Sequence, residues 1–314
     1  MKMKKIASLC AFALSATLLC GCAGAKTKTA FSNYWNQNSL VFEPIHETLV
    51  YDVTFEGSGS DGYTLSYSNG VYKTELKNAV NANGENIYVY KTELSIDVTF
   101  TFGEESKTLS DSVTTEVTFL ANGELRPISS EKSVVSHTPI GSTPSSLEGC
   151  YRGFDYQIST SYTEDGGILS LTMDNATSTQ EFEIDENGYS YLDNEQLLLA
   201  LRAIPASVGS TRLSAYSPFV SRVQDIAVVF AATESKDFSF YKNGSTEKVT
   251  TNIAYRPVQF QIDEKDPGGM QVAWIAAVTN AYDNQHRNVM LRLETPIAYG
   301  LGSLVYNLSS VSYQ

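Results

Sequence analysis

The chain has 314 residues, 35 acidic against 22 basic, and a net charge of −13. That length supports a substantial core, and an acidic surface repels phosphate backbones, which excludes nucleic acid as a partner. Only 18% of the residues are charged, 42% are hydrophobic, and 19 Tyr and 14 Phe suit half-buried pleated surfaces.

The first residues read as an export signal. Lys2, Lys4 and Lys5 precede an apolar run from Ile6 to Leu19 that is too short to span a bilayer. The run ends in Leu19-Cys20-Gly21-Cys22-Ala23, which resembles the lipobox of bacterial lipoproteins: an aliphatic residue, two small ones, then the cysteine whose sulfur takes a diacylglyceryl group. Residues 1–21 are therefore expected to be a lipoprotein signal peptide and Cys22 the lipidation site. Loss of the leader lysines takes the net charge to −16. The expected location is outside the cytoplasm, anchored to a bacterial membrane on the cell surface or the periplasmic face. Residues 22–38, mostly polar after the cysteine, read as a flexible tether. Cleavage removes Cys10 and Cys20, so Cys150 has no partner for an internal disulfide and reads as a small buried hydrophobe rather than a catalytic thiol.

From residue 39 onward the dominant signal is a period of two. It runs through Leu49-Tyr51-Val53-Phe55, Leu94-Ile96-Val98-Phe100-Phe102 and Val113-Thr115-Val117-Phe119. It resumes in Phe154-Tyr156-Ile158, Leu169-Leu171-Met173, Met270-Val272-Trp274, Val289-Leu291-Leu293 and Leu304-Tyr306-Leu308. Such alternation buries one sheet face and wets the other, an antiparallel signature. Turn signals fall at Gly57 to Gly62, Ser68-Asn69-Gly70, Asn81 to Glu85, Asn122-Gly123, Glu164 to Gly167, Glu186 to Gly188, Asn243-Gly244 and Asp266 to Gly269. Tyr72-Lys-Thr-Glu-Leu76 returns as Tyr90-Lys-Thr-Glu-Leu94 and predicts two similar strands across one hairpin.

One segment departs from the pattern. Asp193 to Ile204 predicts a helix, with Asp193 as cap, Gln196 answering it, and Pro205 as the stop. Leu197, Leu198, Leu199, Leu201 and Ile204 leave little polar face, so the helix should be buried. The expected fold is mainly β: a long antiparallel meander curled into a half-barrel or open barrel around one buried α-helix. Residues 39–314 read as a single β-rich domain, the alternative being a split near 138–149, where Pro, Gly and Ser accumulate.

The stretch from Asn288 to Leu308, the opening Glu47 to Val53, Leu125-Arg126-Pro127 and the helix at Asn194 to Ile204 resemble a bacterial envelope domain of unknown function. That domain is similar in shape to the lipoprotein carriers LolA and LolB, an antiparallel half-barrel over a helical plug. The resemblance implies a lipid-binding concavity and brings no catalytic residues.

Chemistry-bearing patterns are few. His46, His137 and His286 lie far apart without zinc-ligand spacing, and neither a nucleophile elbow nor a phosphate-cradling loop is present. Ser129 and Lys132, like Ser245 and Lys248, match Ser-x-x-Lys in strand or hairpin context, where residues three apart face opposite ways. The acidic clusters at Glu104-Glu105, Asp185-Glu186 and Asp263 to Asp266 lack a calcium-loop pattern. No metal or cofactor is expected.

Tyr51, Phe55, Phe100, Phe102, Phe119 and Trp274 are the candidates to line an apolar concavity; the competing reading is that they fill a dry core. The expected function is a membrane-anchored, non-enzymatic lipoprotein binding a hydrophobic or amphiphilic, lipid-like ligand. The alternative is a structural or assembly protein of the envelope working through contacts with other envelope proteins. A hydrolase ranks third, because no nucleophile–base pair can be named.

Overall fold

The computed structural model describes residues 26–57, 62–141, 143–185, 188–217, 221–261 and 269–314. The leader, Cys22 and the turn or acidic assignments at 58–61, 186–187 and 262–268 lie outside these residues. The first half of the chain supplies β1 (His46–Gly57), β2 (Thr64–Val80), β3 (Asn86–Phe102), β4 (Glu105–Leu120), β5 (Pro127–Pro139), β6 (Tyr151–Tyr162), β7 (Gly166–Met173) and β8 (Ala176–Glu183). After the two-residue β9 (Ser190–Tyr191) comes the helix α1 (Leu197–Arg202). Then follow β10 (Ser210–Ser217), β11 (Arg222–Phe230), β12 (Glu234–Lys242), β13 (Lys248–Gln261), β14 (Gln271–Ala276), β15 (Met290–Pro296) and β16 (Gly302–Tyr313).

The sixteen strands of the described residues belong to one sheet, fifteen of them in the order β8-β7-β6-β5-β4-β3-β2-β1-β16-β15-β14-β13-β11-β10-β9. Strand β12 pairs antiparallel with β13 and parallel with β16, so β12 to β16 close a five-stranded ring. The protein is thus mainly β, a meander curled around one short helix. The Pro/Gly/Ser-rich loop after β5 does not interrupt the sheet, because β5 and β6 pair from Ser129↔Ser161 to Pro139↔Tyr151.

The repeated pentapeptide pairs with itself. Tyr72 lies opposite Leu94, Thr74 opposite Thr92 and Leu76 opposite Tyr90 on the buried face. Lys73↔Glu93 and Glu75↔Lys91 oppose unlike charges on the wet face. A one-residue slip would bury the charges, so the repeat fixes the register of the β2–β3 hairpin. Ser68-Asn69-Gly70, expected as a turn, is instead a bulge inside β2, with Asn69 at φ 53°. A Cβ on Gly70 would lie 2.6 Å from the Val53 carbonyl oxygen, so glycine serves close strand packing there.

The helix forms as its sequence dictates. Asp193 accepts from the Glu195 amide (2.8 Å) and Gln196 accepts from the Asp193 amide (3.1 Å), a reciprocal cap over a 3-10 turn at Asn194–Gln196. Leu197, Leu199, Leu201 and Ile204 are buried against β1 to β4 and the strands of the ring. Arg202 is buried as well, which the leucine-rich run does not foretell.

Six helical residues span only about 9 Å, whereas β3 runs for some 50 Å. The helix therefore covers only part of the concave face. Beyond it, Leu147, Cys150 and Leu301, from the β5–β6 and β15–β16 connections, fold over Tyr63, Leu65, Val98 and Phe100 as a second core. Residues 26–38 are no free tether: Phe31 and Trp35 are buried, and Phe31 and Ser32 donate backbone hydrogen bonds to Gly123 (2.8 Å) and Ala203 (2.9 Å).

Candidate functional site

The six aromatic candidates do not share one concavity. Tyr51 and Phe119 are fully buried in the core around the helix, the Tyr51 hydroxyl donating to the Met290 carbonyl (2.9 Å). Phe100 is fully buried in the second core, with Phe55 and Phe102 packed against it. Trp274, paired with Arg292, is half-buried and packs against the first core beside the fully buried Ala273 and Ile275 of β14. It stacks on Tyr255 at 4.9 Å, with Arg292 and Lys236 over its ring at 4.9 and 5.1 Å. The separation follows from the short helix, which leaves the long strands to be covered by two different sets of residues.

A cleft opens elsewhere. The two ends of the sheet, β8 on one side and β9 to β11 on the other, come together without strand pairing among the described residues. Side chains bridge them: Phe182 of β8 stacks on Tyr216 of β10 at 4.2 Å, and Ser221 donates to Gln180 at 3.2 Å. Ile158, Leu169 and Tyr216 form a third small core at this seam. Along it runs a groove of about 670 Å³, lined by Gly167, Ile168, Phe182, Tyr216, Arg222 and Val223 among others. Gly166 and Gly167 give it room, since a Cβ at either would strike Phe182.

Tyr216 also lines a smaller, more polar cavity of about 80 Å³ on the concave side, between β5 to β7 and the start of the helix. Its walls carry a connected set of polar groups. Lys132 donates to Glu195 at 2.7 Å, and Tyr162 donates to Asp193. Ser130 lines the same cavity. Burial, and then the neighbouring Glu195 charge, raise the Asp193 carboxyl above the usual carboxylate range. Burial pushes the Tyr162 hydroxyl up in turn. Burial opposes the charge on Lys132, yet the Glu195 carboxylate more than restores it.

Two buried polar atoms at this cavity have no hydrogen-bond partner: the side-chain carbonyl of Asn194 and the hydroxyl of Tyr216. An orphaned buried polar atom costs on the order of 1–3 kcal/mol and needs a reason. With Asp193, Glu195 and Asn194 presenting oxygens, the cavity is rich in acceptors. Sequence patterns miss it because Lys132, Tyr162, Asn194 and Tyr216 come from four separate elements.

Other chemistry is sparse. His137 Nδ1 meets Asp111 at 2.7 Å, a carboxylate that also accepts from Ser136 Oγ (3.4 Å), and His46 Nε2 meets Glu75 at 2.8 Å. Cys150 is buried, and burial raises its thiol. Lys132 and Ser129 pair with different rows of β4, so they face opposite ways as strand context demands. Among the described residues no group of three or more His, Cys, Asp or Glu is placed to hold a metal ion. Nor is any helix among them long and apolar enough to cross a membrane.

The fold defines a barrel-like β-protein whose concavity is plugged by a capped helix and left open along one seam. No family model and no curated protein match the sequence. Among solved structures, the chain is similar to the β-barrel-like protein of domain of unknown function DUF1849 from Brucella abortus. The two share 13% identity at a TM-score of 0.46, over 87% of this chain and 100% of the other.

Proposed function

We propose that this chain is a non-enzymatic bacterial lipoprotein, anchored through Cys22 outside the cytoplasm, that binds an amphiphilic ligand along the seam. The observation that carries the reading is the pair of unpartnered buried atoms, Asn194 Oδ1 and Tyr216 Oη, at one cavity beside the apolar groove. A ligand head group bearing N–H or O–H donors satisfies the acceptors, while its apolar part lies against Ile168, Phe182 and Val223. The lysine-led leader and the Leu19 to Cys22 pattern support the anchor, and the resemblance to LolA- and LolB-like half-barrels supports an apolar cargo.

The test is native mass spectrometry of the chain made without its leader and with Cys22→Ser, followed by solvent extraction. A stoichiometric lipid-like adduct, reduced in Tyr216→Phe and Asn194→Ala variants, is the expected result. A clean apo mass that takes up no lipid on challenge overturns the reading. It would favour the envelope-scaffold alternative, for which the wet face offers a hollow of about 510 Å³ lined by Lys91, Glu93, Glu116 and Glu131.

A further inference from the structure

The docked N-terminal segment limits how the body can sit on a membrane. Thr29 is fixed by three contacts: its amide donates to Ser190 Oγ (2.7 Å), its hydroxyl meets that of Thr211 (2.8 Å), and its carbonyl accepts from Ser190 (3.1 Å). Lys26 pairs with Asp185 at 3.0 Å and lies over the Tyr189 ring at 5.8 Å. Three residues, hence four Cα–Cα steps of at most about 3.6 Å each, separate Lys26 from Cys22, a reach of roughly 14 Å.

Lys26 emerges at one end of the sheet. Hairpin connections alternate between the ends, so the turns at 81–85, 121–126 and 163–165 share this end with residues 26–38. Arg126 donates to the Thr163 carbonyl (2.7 Å), and the Ile184 amide donates to the Asp165 carbonyl (2.7 Å), which ties the β6–β7 turn to the exit of β8. That turn also begins the seam, whose groove is lined by Thr163 and Asp165. The opposite end, with the β3–β4 turn at Gly103 and Glu104, lies about 50 Å away along the strands.

Resting on the reading of Cys22 as lipidated, we propose that the short leash holds the 163–165 end of the sheet against the bilayer. The seam then opens onto that bilayer, and its amphiphilic ligand exchanges with the lipids of the anchoring membrane. The opposite end, with the second core, projects away. A leash of about 14 Å cannot let a 50 Å body reverse.

The test uses the full lipidated protein in phosphatidylcholine–phosphatidylethanolamine vesicles. A fluorophore is placed on a single new cysteine, Glu164→Cys at the near end or Glu104→Cys at the far end, and quenched by head-group spin-labelled lipid. At least threefold stronger quenching at position 164 is expected. Equal or reversed quenching overturns the orientation. Inserting 24 Gly/Ser residues after Ala25 should abolish the difference; a difference that survives means that the end adheres by itself and overturns the leash. Mass analysis of the tryptic peptide 22–26 separates the two readings, because an unacylated Cys22 overturns the anchor and the orientation together.

Discussion

Glu47 and Arg202 meet across the main core as a two-pronged ion pair, at 2.6 and 2.8 Å, with side chains 1% and 2% exposed. Glu47 comes from β1 and Arg202 closes the helix, so the pair pins the plug to the sheet. Arg202 also donates to the carbonyls of Asn288 (3.0 Å) and Arg287 (2.9 Å), and Asn288 returns a bond to the Arg202 carbonyl (3.0 Å). Burial opposes the guanidinium charge, and Glu47 outweighs it.

Breaking the pair from one side strands a buried charge. Glu47→Gln should therefore cost roughly 3–5 kcal/mol in urea unfolding, whereas the joint change Glu47→Leu with Arg202→Met should recover most of it. Additive losses in the double variant would show that the two residues act independently.

Trp35→Ala tests the docking of residues 26–38. Removing a fully buried indole should destabilise the protein by about 3–5 kcal/mol. A loss under 0.5 kcal/mol on an order-of-magnitude scale would restore the flexible-tether reading.

Tyr216→Phe separates stability from binding. The hydroxyl has no protein partner, so its removal should leave unfolding unchanged or raise stability by up to about 1 kcal/mol. The same variant should weaken ligand uptake about tenfold, measured by titration into the apo protein. A marked loss of stability would mean that the hydroxyl works within the fold and not for a ligand.

His286 sets an acid-side dependence. Burial, and secondarily the Lys242 charge, lower its pKa below the usual 6.5, so the folded state prefers the neutral ring. Its contribution is complete above about pH 6.5 and is lost as pH falls through the lowered folded value. Denaturant unfolding at pH 7.5 and 5 should show a smaller difference for His286→Gln than for the unaltered chain. Parallel profiles would remove His286 from the account.

Residues whose partners lie nearby in sequence were readable without coordinates. Asp193, Gln196 and Pro205 bound the helix within one short window, and the Tyr72 and Tyr90 pentapeptides carry their own register. Arg202 was not readable, since its partner Glu47 lies 155 positions away and a lone arginine ending a leucine run looks solvated. Phe31 and Trp35 lacked any period because they dock an irregular segment. Trp274 misled in another way: the alternation Met270, Val272, Trp274 follows the half-exposed row, while Ala273, Ile275 and Ala276 are the buried residues of β14. The seam was invisible, being built where the two sheet ends meet.

The parallel contact between β12 and β16 has a consequence for the order of assembly. Strand β16 lies between β1 and β15 and also closes the ring through Tyr241↔Ser310 and Lys242↔Val311. The first strand synthesised must therefore wait for the last of these sixteen before its second edge is paired. Pairings so distant along the chain form slowly, and until they form the open edges of β1 and β15 invite association with other chains. Refolding should be slow and concentration-sensitive, with protection of the β1 amides from hydrogen exchange appearing only in the final phase.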